Sequence, residues 1–182
     1  MSQQVLGSPR AVEAAVSAVA RALDSPRSLA SLHDVSWPVH DAESLRGAAL
    51  LAESRLSAES PERLLADHHR LVVGDPHRPP VAPTAPPAAA APSLAALLAR
   101  APGAAQPRPG DLVAALDAYA TLLTDPRADL ATRRALVHEH LLTWGARCLS
   151  RVQLGARTFC YQGVATLGLG LLRHAAEEEA TV

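Results

Sequence analysis

Two short polar runs hold most of the residues that could do chemistry. One is Asp67-His68-His69-Arg70; the other is His138-Glu139-His140. Imidazoles beside carboxylates suggest metal ligation or general acid–base work. The spacing argues against a metal. Neighbouring helical residues diverge by about 100°, and i,i+2 residues face apart, whereas a helical ligand pair wants i,i+3 or i,i+4. The expectation is that one histidine of each pair is buried and hydrogen-bonded while the other is solvated. Cys148 and Cys160 share no redox or metal spacing, and no G-x-S-x-G nucleophile motif is present. The G-x-G of Gly168 and Gly170 follows no strand, so it does not read as a phosphate loop. These observations predict a protein that is not an enzyme, with no cofactor and no metal.

The element that positions the first run begins at Ser60-Pro61, a capping serine followed by an N1 proline. Leu64, Leu65, His68, Leu71 and Val72 then share one helical face. Gly74 can take the left-handed conformation that ends such a helix. Asp75-Pro76 and Pro79-Pro80 forbid its restart. Asp67 and Arg70 are thereby held at the end of a helix, against a proline-stiffened loop.

Similar punctuation recurs along the chain. Ser8-Pro9 opens a helix with Val12, Val16, Val19 and Leu23 inward, and Asp41 opens one with Leu45, Ala48, Ala49 and Leu56 inward. Residues 27–40 suggest a short helix through Leu29 and Leu32, then a turn at Trp37-Pro38, with Trp37 in the core. Ten of the fifteen prolines lie between residues 75 and 109. That region reads as a proline-rich linker that buries little, with one short helix after Ser93. Helical periodicity returns at Asp111, with Leu112, Leu116, Tyr119 and Leu123 inward, and again after Asp125-Pro126. A break is expected near 143–145, and a last helix from about Thr158 to Glu178, with Phe159, Val164, Leu167, Leu171 and Leu172 as its apolar positions. Its glycines permit close helix–helix approach.

Alanine and leucine supply most of the apolar surface of this 182-residue chain, whose aromatic content is 3%. That composition predicts an all-α single domain over residues 1–182, interrupted by the linker at 75–109. With 17 basic and 18 acidic residues there is no electrostatic footprint for nucleic acid or an anionic membrane. No uninterrupted apolar run reaches spanning length, and MSQQVLGSPR does not read as a signal peptide. A cytoplasmic protein, monomeric or homodimeric, is expected.

The run D-H-H-R-L-V-V-G-D-P-H-R-P-P resembles the [D/E]-Y-x-R-L-F-x-G-P…P-P signature of the TorD/DmsD/NarJ family. These are cytoplasmic chaperones of molybdenum-containing redox enzymes. His138-Glu139-His140-Leu141-Leu142-Thr143-Trp144 resembles the family's R-E-H-L-x-P-W segment. His68 stands in place of the family's tyrosine, Val72 of its phenylalanine and Thr143 of its proline. Of the family's Asp-His hinge only Asp111 remains. The resemblance implies a helical bundle of the TorD-like type. It also implies a system-specific chaperone that binds the apo-form or twin-arginine leader of a molybdenum-cofactor oxidoreductase before export.

The partner-binding residues that follow are Asp67, His68, Arg70, Leu71, Gly74, Asp75, Pro76, Pro79 and Pro80, joined by Asp111, Glu139 and His140. Physically, Asp67 would face a leader arginine, and an apolar groove would take the rest of the peptide. The alternative is a non-catalytic all-α interaction scaffold with a different partner.

Overall fold

Ser8, Asp41, Ser60 and Asp111 cap helices where the sequence places them, whereas the helix expected from Asp125-Pro126 begins at Leu130 under Asp129, and Asp125 closes the helix before it. The computed structural model describes residues 8–100 and 111–181. Helix α1 spans Pro9–Asp24, with Ser8 accepting from Ala11 N. A 3₁₀ segment, Pro26–Asp34, follows. Helix α2 is Ala42–Leu56, closed at its start by a reciprocal Asp41–Ser44 capping box. Helix α3 is Pro61–His68 and widens into a π-helical turn, His69–Val73. Helices α4 (Ala91–Leu98) and α5 (Leu112–Thr124) flank the undescribed residues. Helix α6, Leu130–Ala135, runs through a π-helical stretch, Leu136–Gly145, into α7, Ala146–Gly155. Helix α8, Phe159–Thr181, is the longest. Among the described residues there is no strand, only an isolated bridge between Asp75 and Arg78. The chain is all-α, and no described helix is long and apolar enough to cross a membrane.

The α1 stripe is buried as expected, and it packs with Leu116, Leu122 and Tyr119 of α5 and Leu167 and Leu171 of α8 in one core. Trp144 lies in that core, while Trp37 is half-buried against it and donates Nε1–H to the Leu32 carbonyl at 3.2 Å.

Helix α2 corrects the sequence reading. Leu45 and Leu56 are 61% and 80% exposed, and Ala49 is exposed too. The buried face is Ser44, Gly47, Leu51 and Ser54. Its small residues let α2 lie almost backbone to backbone on α8. A Cβ on Gly47 would stand 2.7 Å from Leu167 Cγ, and one on Gly163 would stand 3.0 Å from the Gly47 carbonyl. Close packing of backbones outweighs the burial of two leucines here, because it brings whole helix surfaces into van der Waals contact.

Three further expectations change. The chain does not break at 143–145. The turns widen instead, and the Thr143 hydroxyl donates to the Glu139 and His140 carbonyls (2.7 and 3.1 Å), engaging groups a tighter helix would use. Leu65 and Phe159 are exposed rather than inward. The first part of the linker is docked, not loose. Val81 N and Ala82 N donate to the Arg70 and Leu71 carbonyls, Leu112 N donates to Thr84 O, and Ala82 is fully buried. The short helix expected after Ser93 is present as α4 but starts earlier, at Ala91, without a side-chain cap; Leu94, Leu97 and Leu98 are buried. The second linker, Pro102–Pro109, lies outside the described residues.

Candidate functional site

Asp67 is 3% exposed, which a surface carboxylate waiting for a ligand would not be. Its Oδ2 accepts the backbone N–H of Arg157 (2.9 Å), the backbone N–H of Thr158 (3.0 Å) and the Thr158 hydroxyl (2.8 Å). Its Oδ1 accepts from Arg70 Nη2 at 2.5 Å. The same Arg70 nitrogen donates to the Gly155 carbonyl at 2.5 Å, at the end of α7. One acid at the end of α3 and one base in the π-helical turn after it therefore hold both sides of the α7–α8 turn.

Glu59, in the connection from α2 to α3, completes the arrangement. Its Oε1 accepts from Phe159 N at 2.9 Å, and its Oε2 from Cys160 N at 3.0 Å and the Ser54 hydroxyl at 2.7 Å. The first N–H groups of a helix have no intrahelical acceptor, and they carry the positive end of its dipole. Two carboxylates from distant segments satisfy them here. Sequence spacing offered no sign of Glu59, Arg157 or Thr158 in this role, because the contacts span 90 to 101 residues.

The histidines divide as expected. His68 is buried, its Nε2 3.1 Å from the Leu23 carbonyl and its ring tilted against Tyr161. His69 is exposed. His140 is buried and His138 exposed. Trp144 Nε1–H donates to His140 Nδ1 (3.4 Å), so the ring proton sits on Nε2, which lies 3.3 Å from the Ser93 hydroxyl. That hydroxyl in turn donates to Ala90 O. Burial lowers the pKa of both His68 and His140. The chain of bonds therefore ties α4 to the π-helical stretch with a neutral imidazole in the middle.

The remaining predicted residues scatter. Leu71 is core. Gly74 has φ +69°, and a Cβ there would meet Pro80 N at 2.6 Å, so only glycine suits the turn. Asp75 Oδ1 accepts from His77 N and Arg78 N, both 2.8 Å, which shapes the loop carrying Pro76, Pro79 and Pro80. Pro76 and Pro79 are exposed and Pro80 is half-buried. Asp111 caps α5 through Ala114 N, and Glu139 is exposed. Asp67, Arg70 and the Gly74–Pro80 loop thus adjoin along α3 and its π turn. Among the described residues, Asp111, Glu139 and His140 share no hydrogen bond or ion pair with them.

Both thiols are buried. Burial first, then the Glu59 carboxylate, pushes Cys160 up to about 12, and burial pushes Cys148 up to about 11, so neither is a thiolate near neutrality. Among the described residues no three histidine, cysteine or acidic side chains are grouped to hold a metal ion.

An open groove lies on the other flank of α3. It encloses about 670 Å³ and runs between the 3₁₀ segment, the end of α2 and α3, with Leu29, Ala30, Ala58, Pro61, Leu64 and Leu65 in its lining. Such a concave apolar lining can take up a chain segment or an apolar ligand. No family model, curated protein or solved structure matches this chain.

Proposed function

We propose that the protein is a system-specific chaperone that binds the apo-form or the leader of a molybdenum-cofactor oxidoreductase and assists its maturation. The observation that carries this reading is the placement of the motif-bearing helix. Helix α3, which bears the family-like D-H-H-R-L-V-V-G run at its end, forms one wall of the open apolar groove. A client chain that has not yet taken up its cofactor exposes apolar segments, and a groove of this lining shields them from water.

Within this reading, Asp67 and Arg70 act as the brace that positions α3 against α8, and the groove is the contact surface. Client recognition then falls to Leu64, Leu65 and the residues across from them. Expression of the tagged protein in its native host tests the reading. A molybdoenzyme apo-subunit should co-purify with the wild type and be lost with Leu65→Asp. Absence of any such subunit, together with no calorimetric binding of its leader or mature segments, overturns it.

A further inference from the structure

The charge around the groove follows from how the carboxylates are used. Arg27, Arg55 and Glu59 are its charged lining residues, with His33 beside them. A second hollow of about 440 Å³ shares His33 and Arg55 and extends the trough to Trp37 and Leu56. On the far flank of α3, a hollow of about 220 Å³ is lined by Arg63, Arg70 and Arg157 above Asp67.

Glu59 and Asp67 are the acids in these linings, and the N-terminal end of α8, with Arg70, takes up their oxygens. Arg27, Arg55, Arg63 and Arg157 have no ion pair among the described residues. Glu62, exposed on α3, lines none of the three hollows. A chain of net charge −1 therefore presents two unpaired arginines, Arg27 and Arg55, at its main apolar trough, where the one acid, Glu59, is engaged by the start of α8. Leu56 and Leu65, 80% and 56% exposed, stand on the same face.

We propose that this face binds an amphipathic helical segment of a partner protein, its apolar stripe in the trough and acidic side chains beside that stripe paired with Arg27 and Arg55. Strand addition needs an open sheet edge, and polyproline recognition needs an aromatic-lined groove. The described residues offer no sheet, and Trp37 is the only aromatic ring beside histidine in the trough lining. Of these three modes, an apolar groove walled by helices fits helix-in-groove binding. The inference rests on the chaperone reading above and specifies which part of the client is held. That part is an acidic-flanked segment of the mature chain, because an arginine-bearing leader would bring like charge to Arg27 and Arg55.

The test uses the full-length protein and designed peptides of about five helical turns. Two share one leucine–alanine stripe and differ only in flanking Glu or Lys; a third has an Arg-Arg pair before an apolar run. The Glu peptide should bind about tenfold tighter than the Lys peptide, the sum of a few partly screened ion pairs. That preference should shrink with added salt and vanish in the Arg27→Glu/Arg55→Glu double variant, whose changes are on exposed residues. Leu65→Asp should weaken both stripe-bearing peptides. Equal or tighter binding of the Lys or Arg-Arg peptide overturns the proposal, as does failure of the Glu peptide to bind, or a preference unchanged in the double variant. A wild-type dimer dissociated by Leu65→Asp overturns it too, because the occupant is then a second copy of the chain. Capture of a molybdoenzyme apo-subunit without Glu-peptide binding removes this inference and leaves the chaperone reading. Glu-peptide binding without such capture does the reverse.

Discussion

Asp67 Oδ2 accepts the backbone N–H of Thr158 at 3.0 Å, across 91 residues of chain. With the Arg157 N–H and the Thr158 hydroxyl on the same oxygen, α3 and the start of α8 are locked together. An acid that sequence alone offers to a ligand is thereby committed to the fold.

Asp67→Asn should cost about 1–3 kcal/mol of stability, since charge-assisted acceptance is lost and an amide N–H₂ is brought toward donors. Asp67→Ala should cost about 3–5 kcal/mol, because Arg70 is left without its buried partner. Arg70→Ala combined with Asp67→Ala should cost less than the sum of the two. Urea midpoints measure all three. An unchanged midpoint for Asp67→Ala means the brace does not form in solution.

Glycine substitutions on the α2–α8 contact should differ sharply. Gly47→Ala puts a methyl 2.8 Å from the Leu167 backbone nitrogen and should cost about 1–3 kcal/mol as the helices part. Gly170→Ala meets only Ser44 atoms at 3.3 Å or more, and alanine favours the helix, so stability should stay within about 1 kcal/mol of wild type. Similar denaturant midpoints for the two variants contradict the close crossing.

Trp144→Ala should cost about 3–5 kcal/mol, as expected for a buried large aromatic. Trp144→Phe keeps most of the ring but loses the donor to His140 Nδ1, and should cost about 1 kcal/mol more than its volume change alone. His140→Gln in the Phe background should recover none of that increment if the indole N–H is its source. Thermal melts of the single and double variants decide this.

Stability should fall on acidification. His68 and His140 have pKa values lowered from 6.5 by burial, so the folded state holds them neutral. Below pH 6.5 the unfolded chain takes up protons that the folded chain does not. The unfolded state then binds more protons, and stability drops by up to about 1.4 kcal/mol per pH unit for each histidine, until the lowered folded values are reached. Well above 6.5 neither residue contributes a slope. Denaturant midpoints through this range should flatten in a His68→Asn/His140→Gln variant. An equal slope in that variant assigns the effect to other groups.

The sequence by itself determined the all-helical class and four of the helix starts. Ser8-Pro9, Asp41, Ser60-Pro61 and Asp111 are local signals, since a cap bonds within three residues and a proline restricts its own turn. The stripe of Val12, Val16, Val19 and Leu23 is likewise local, because helical period alone puts them on one face. The same holds for Gly74, whose left-handed turn is written in the prolines that follow.

Only the tertiary structure decided which faces are spent inside. Leu45 and Leu56 lost the interior to Gly47 and Ser44 because the fit of α2 on α8 depends on both helices at once. Asp67 and Glu59 became caps because the first N–H groups of α8 arrive beside them, and an unsatisfied buried donor costs more than a carboxylate gains by staying in water. That use of two acids leaves Arg27 and Arg55 beside an apolar trough and Arg63 and Arg157 beside the hollow on the far flank of α3, a charge pattern that a net charge of −1 conceals, since composition counts ionised groups and only packing determines which remain on the surface.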